Sequence, residues 1–259
     1  MKLFDLSQKK IVLFGGAGYL GSATVCALLE LNARVVVADV FPAHAKENIA
    51  AFEGHKNVRL KSCDMRDAAQ IREVNALCVE AFGGMNTLIN MVAFGGNATP
   101  VEKMTDDAWA LGIEGSLNTT FRAIREATPF LENNAPSAIV NTSSMYGLVS
   151  PDPRIYGDSG QNNPANYGAA KAGVLQLTRY CAGHLAPKGI RVNAVTPGPF
   201  PDDRKLPPED FLQALESKTM LNRIGSREEI AGAYCYLVSD AASYTTGANI
   251  VVDGGWTAW

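Results

Sequence analysis

The sequence predicts an α/β fold: one Rossmann-type, doubly wound domain over residues 1–259, with a seven-stranded parallel sheet flanked by helices. Three observations predict it. Short apolar runs without polar alternation recur along the chain, separated by segments of helical periodicity, which is how strands buried on both faces read. The first run breaks into a glycine-rich turn, Gly15-Gly16-Ala17-Gly18-Tyr19-Leu20-Gly21. And 259 residues suffice for one large α/β domain, with no repeat, low-complexity tract or linker to divide them.

Taken in order, residues 11–14 form the first strand and a helix follows the glycines over 22–31. Residues 34–38 read as a second, fully buried strand ending at Asp39. Residues 58–62 are a third strand, 68–82 a helix and 87–91 a fourth strand. Helical periodicity runs through 105–131, and 138–142 is an apolar strand leading into Ser143-Ser144. Residues 166–185 form a helix with Asn166 at its N-cap position. Residues 191–195 are a strand broken by Pro197-Gly198-Pro199. Ser226-Arg227-Glu228-Glu229 has the form of a capping box opening a helix to 239, and 249–252 is the last strand.

Residues 145–165 and 197–222 stand outside this alternation as substrate loops. The first of them, and 197–210 of the second, are rich in Pro, Gly, Asp and Asn, hence turn-forming. Both follow strands, so both emerge at the carboxyl edge of the sheet, where ligands bind in open α/β folds.

Composition narrows the function. Hydrophobic residues make up 47% and charged residues 19%, with a formal net charge of −3, so no basic footprint for nucleic acid exists. No eighteen-residue apolar stretch is present to span a membrane, and the first ten residues lack the apolar run of a signal peptide. Five dispersed cysteines without a CxxC fit reduced thiols in a cytoplasmic protein. His44, His55 and His184 lack ligand spacing, so no metal site is expected.

A strand, a glycine turn and a helix in that order is the context of a dinucleotide fingerprint, in which amides at the helix N-terminus receive a pyrophosphate. Asp39, about 20 residues past the glycines, stands where a ribose 2′-hydroxyl is gripped and a 2′-phosphate repelled, which favours NAD over NADP. Tyr167 and Lys171, four apart on a helix, share one face. An ammonium near a phenol favours the phenolate, and such a tyrosine can move a proton on or off an alcohol.

With the glycine turn, Asp39, Asp64, Asn90, Ser143-Ser144, Tyr167-xxx-Lys171, Pro197-Gly198 and the ending Val-Asp-Gly-Gly on view, the chain resembles the short-chain dehydrogenase/reductase family along its whole length. The resemblance implies NAD(P)-dependent interconversion of an alcohol and a carbonyl. It makes Tyr167 the proton donor or acceptor, and Lys171 the residue that lowers the phenol's pKa and contacts the nicotinamide ribose. Ser144 becomes the residue that orients the substrate oxygen, with Ser143 as the alternative. Cofactor contacts are implied at Gly15, Gly18, Tyr19, Leu20, Asp39, Asp64, Met65, Asn90, Tyr167, Lys171, Pro197 and Gly198. Four departures stand out. Phe14 replaces the usual threonine; the 15/18/21 glycine spacing follows longer members, with Tyr19 where shorter members have glycine. The Asn-Asn-Ala-Gly tract reads Asn90-Met91-Val92-Ala93, and Ser116 falls where the tetrad asparagine is expected, with Asn118 two positions off.

The Tyr-Gly…Pro-Asp-Pro-Arg-Ile-Tyr pattern between Ser144 and Tyr167 is similar to members that act on sugars or sugar-derived acids, with Arg154 and Tyr156 as substrate contacts. Arg223, just before the capping box, reads as structural. An epimerase or dehydratase, and a non-catalytic dinucleotide-binding protein on the same fold, remain alternatives. Members of the family commonly pair as tetramers or dimers through the long helices and the last strand, so a homo-oligomer is expected.

Overall fold

The computed structural model describes residues 3–41, 45–96, 98–159 and 162–259; His44 lies outside them. Seven strands, β1 (Lys10–Phe14), β2 (Arg34–Asp39), β3 (Val58–Ser62), β4 (Thr87–Asn90), β5 (Ser137–Thr142), β6 (Ile190–Pro197) and β7 (Asn249–Val252), form one sheet in the order β3-β2-β1-β4-β5-β6-β7. Every pairing is parallel. The order reverses between β1 and β4, which creates a crevice at their carboxyl ends.

Side chains of successive strand residues point to opposite faces. Val12, Phe14, Val36 and Leu88 therefore pack into the layer containing Ile71, Ala127 and Leu185, from helices α3 (Ala68–Phe82), α5 (Thr119–Glu132) and α6 (Ala165–Leu185). Ile11, Leu13, Val35, Val37 and Ile89 pack on the other face against Val25, Leu28, Ile230 and Val238, from α1 (Tyr19–Glu30) and α8 (Arg227–Val238). Each fully buried aliphatic or aromatic side chain contributes on the order of 1.5–3 kcal/mol. Among the described residues no helix is long and apolar enough to cross a membrane.

Several local expectations shift. Helix α1 begins at Tyr19 rather than residue 22, directly on the glycine turn. Asn166 is not the cap of α6: Pro164 takes the N-cap position, and the Asn166 amide donates to the Ala108 carbonyl at 2.7 Å, tying α6 to α4 (Asp106–Ile113). The helical stretch from 105 is not continuous. A π-turn at Glu114–Asn118 interrupts it between α4 and α5. Residues 145–165 contain two 3-10 turns, Met145–Gly147 and Pro153–Ser159, and 197–222 contains α7 (Glu209–Ser217). The short α2 (Lys46–Ile49) follows β2. At α8 the Glu229 carboxylate accepts the Ser226 N–H at 2.9 Å, and the Arg223 guanidinium pairs with Glu229 at 2.7 Å, so Arg223 buttresses the helix start as the sequence suggested.

Candidate active site

The carboxyl end of β1 feeds the glycine turn. Gly15 has φ +84°, open to glycine without strain, and a Cβ there would stand 2.8 Å from the Met91 carbonyl carbon. A Cβ on Gly21 would meet the Gly15 oxygen at 2.2 Å, backbone that cannot step aside. Gly21→Ala is therefore expected to lower stability by about 2 kcal/mol or more and to abolish dinucleotide binding, read by thermal melts with and without NADH.

Beside this turn lies a cleft of about 230 Å³ lined by Gly15, Ala17, Gly18, Asp39, Asp64 and Met65, with Met91, Val92 and Ala93 opposite. Asp39 ends β2 and faces the turn: its Oδ2 accepts the Ala17 N–H at 3.1 Å and its Oδ1 the Val40 N–H at 2.8 Å. Asp64 is held below the usual carboxylate range, first by hydrogen bonds from the Arg66 side chain. Cys63 also lines the cleft, but burial pushes its thiol up to about 12, so it is inert wall. Helix α1 has no side chain capping its first turn and no acidic residue there, which leaves its amides free for an anion. The close-approach glycines, a cleft at the sheet's switch point and an acidic strand end together fit a dinucleotide.

Along the same edge, β5 delivers Ser143 and Ser144, while α6 delivers Tyr167 and Lys171. A buried chain fixes these elements: the Asn90 amide donates to Asn141 at 2.8 Å and the Asn141 amide to Thr178 at 2.9 Å, joining β4, β5 and α6. Ser143 donates to the Lys171 carbonyl at 2.9 Å, so its hydroxyl is committed to the scaffold. Ser144 instead acts on the Tyr167 phenol, favouring its ionised form, and its Oγ accepts the Tyr146 N–H at 3.2 Å. The two serines thus have separate jobs.

Lys171 is 2% exposed and its ammonium donates to the Thr142 carbonyl at 2.9 Å. Its Nζ lies 5.7 Å from the centre of the Tyr167 ring. The two side chains meet as their spacing of four predicts, but their pKa values shift the other way. Burial pushes the Tyr167 phenol up, and the Ser144 hydroxyl pulls it part of the way back. Burial also pushes Lys171 down, to about 8. Desolvation here outweighs the attraction of ammonium for phenolate.

The other expected contacts are spread along the edge. Pro197 ends β6 and Gly198 sits against Asp253, where a Cβ would approach the backbone to 2.5 Å. Tyr156 is half-buried with its ring 5.2 Å from Phe211, and it packs in one cluster with Tyr146, which opens the Tyr-Gly pattern. Tyr146 meets Trp256 edge-on at 6.4 Å. Arg154 turns to solvent, its side chain 84% exposed and its guanidinium committed to Asp152 at 2.7 and 2.9 Å. Ser116 is buried in the π-turn; its carbonyl accepts the hydroxyls of Thr119 and Thr120, and its Oγ has no hydrogen-bond partner among the described residues. Asn118 turns away to Glu114 at 2.8 Å.

A family model described as enoyl-(acyl carrier protein) reductase matches residues 16–257. The chain belongs to the short-chain dehydrogenase/reductase family. Within the family it is 32% identical to cis-4-hydroxycyclohexanecarboxylate dehydrogenase of Sinomonas cyclohexanicum, over 97% of this chain and 98% of that one. It is 30% identical to galactitol 2-dehydrogenase of Rhizobium johnstonii, over 99% and 98%. A short-chain dehydrogenase of Leptospira borgpetersenii solved with bound NAD+ superposes with a TM-score of 0.84 at 29% identity, covering 95% of this chain and 92% of its own. The chain is accordingly an oxidoreductase of CH–OH groups, which retires the non-catalytic alternative.

Proposed function

We propose that this enzyme carries out NAD-dependent oxidation of a secondary alcohol on a polyhydroxylated, sugar-related substrate. The observation that carries the cofactor preference is Asp39, whose carboxylate stands in a cleft lined, among the described residues, by two carboxylates and by no lysine or arginine. A ribose diol suits it and a 2′-phosphate does not. Asp39→Asn, which keeps the shape and removes the charge, is expected to narrow the ratio of NADPH to NADH dissociation constants by at least about tenfold in a fluorescence titration.

In this reading a nicotinamide held in the cleft would supply the hydride acceptor, and the residues of the chain would position the substrate and move the proton. Ser144 hydrogen-bonds the substrate oxygen and aligns it. Tyr167 takes the hydroxyl proton during oxidation and returns it during reduction. Lys171, its ammonium held by the Thr142 carbonyl, would have its remaining donors for the nicotinamide ribose.

Two features support a polyol. One relative is named for galactitol. And a broad cleft lies between residues 98–102, 150–151 and 162–165, lined by Thr99, Glu102, Ser150, Asn162 and Asn163 next to Gly168 on α6. Among the described residues its polar lining holds a carboxylate and no cation, so it suits a neutral polyol over a sugar acid. A second reading, a ring alcohol without further hydroxyls, draws on the apolar cluster of Tyr146, Tyr156, Phe211 and Trp256 packed with Tyr167, and on the relative acting on a cyclohexane ring.

Equilibrium binding of NADH against NADPH followed by oxidation screens on polyols, sugar acids and cyclohexanols separates these readings. Turnover confined to cyclohexanols would sink the polyol. We also place the enzyme in the cytoplasm as a homo-oligomer, pairing through α5, α6 and the β7 edge, where Phe121, Tyr180 and Val251 are exposed. A monomer in light scattering would refute the pairing.

A further inference from the structure

Tyr19 opens helix α1 on the glycine turn, and its ring is gripped from two directions. The guanidinium of Arg204 lies 5.7 Å from the ring centre and that of Arg227 lies 5.3 Å from it. Arg227 is the first residue of α8, whereas Arg204 belongs to the segment that leaves β6 at Pro197. The backbone N–H of Asp203, from the same segment, donates to the Tyr19 hydroxyl at 3.4 Å. Arg204 is itself pre-set by the Asp202 carboxylate, at 2.8 and 2.6 Å, and reaches Glu47 of α2 at 3.5 Å.

These contacts join distant parts of the sheet. In the strand order β4 and β5 lie between β1 and β6. A segment that starts at β6 yet is fastened to the β1–α1 turn and to α2 therefore spans the carboxyl edge at the diphosphate end of the cofactor cleft. The arginines meet four nearby carboxyl groups, on Asp202, Asp203, Glu47 and Glu228, so the fastening contributes no surplus positive charge. Its effect is mechanical. A glycine at position 19 would offer the guanidiniums no ring to stack on.

We propose that Tyr19 is the post on which the segment after β6 is fastened across the cleft, and that Arg204 and Arg227 are positioning residues which slow cofactor release through it. The idea rests on the nicotinamide reading above but adds a role for three side chains that the chemistry does not use.

The test follows release of NADH by stopped-flow fluorescence on the full chain, with NADPH substituted should the wild type prefer it. Tyr19→Ala is expected to speed release about tenfold, equivalent to about 1.4 kcal/mol, in the range of the two partly exposed cation–π contacts it removes, and Arg204→Gln, which removes one of them, about threefold. Tyr19→Phe keeps the ring and should stay within about twofold of wild type. The double variant should release no faster than Tyr19→Ala alone, because both changes remove one fastening. Trypsin cleavage after Lys205, measured without dinucleotide, should be faster in Tyr19→Ala. Unchanged release despite faster cleavage would overturn the retention role, as would full additivity in the double variant. Unchanged cleavage would show that the ring does not hold the segment. A wild type that binds neither dinucleotide would defeat the nicotinamide reading and this inference together, whereas normal wild-type binding with unaltered release in the variants defeats this inference alone.

Discussion

Tyr167→Phe is expected to cut turnover by about a thousandfold while leaving NADH affinity within about twofold. The substitution removes one hydroxyl, the group on which Ser144 acts, and leaves the ring to fill its half-buried seat. The pH profile adds a sharper expectation. Burial pushes this phenol above its ordinary value, with the Ser144 hydroxyl only partly offsetting it. At neutral pH it is therefore protonated, the form that donates to a carbonyl during reduction. Alcohol oxidation needs the phenolate, so its rate should climb as pH rises toward the phenol's pKa. Reduction should hold level through neutral pH and fall on the alkaline side. Tyr167→Phe should flatten both limbs. If the variant kept more than a tenth of wild-type turnover, with its pH dependence intact, the proton would be moving through another group.

What could be read from the sequence was local or periodic. The five inner strands are legible as apolar runs because a parallel sheet buried on both faces leaves little room for polar alternation, whereas the edge strands β3, Val-Arg-Leu-Lys-Ser, and β7 stay partly exposed; the ends of all seven agree within a residue or two. The glycine turn and Asp39 were legible because backbone approach and a strand-end charge are written in residue type at fixed offsets. Long-range pairings were not. Nothing near Asp152 announces that Lys218 reaches its carboxylate from the end of α7 at 2.6 Å, beside the local pair that Arg154 makes with it two residues on. Helix α7 was hidden because Pro207 and Pro208 read as loop; they start a helix whose first turn carries Glu209 and Asp210, favourable at that end. The π-turn at Glu114–Asn118 has no local signature, and it alters which way Ser116 faces. The separate duties of Ser143 and Ser144 likewise depend on where α6 packs, which two adjacent identical residues cannot reveal.

Lys171→Met is expected to lower turnover at least about a hundredfold and, near pH 7, to make the protein more stable. The two effects share one cause. A lysine 2% exposed has lost its hydration, and among the described residues a single carbonyl, that of Thr142, is its hydrogen-bonded partner. Its pKa falls from 10.5 to about 8 in the fold. The sign follows from proton counts: between those values the unfolded chain holds the proton and the folded one has released it, so stability rises with pH through that window. Below pH 8 the whole penalty of burying the ammonium is present, on the order of 3 kcal/mol at 1.36 kcal/mol per pH unit. Methionine removes that penalty and forfeits a hydrogen bond of about 1 kcal/mol, for a net gain on the order of 2 kcal/mol at pH 7. For a chain of this size the melting temperature should rise by roughly 4–8 °C. Near pH 10.5 the advantage should vanish or reverse, because the wild-type lysine is then neutral in the fold and keeps its hydrogen bond. Melting curves for both proteins at pH 7, 9 and 10.5 check this. A variant less stable than wild type at pH 7 would mean that the ammonium is already well compensated in its pocket, and the depressed pKa would have to be abandoned along with the prediction.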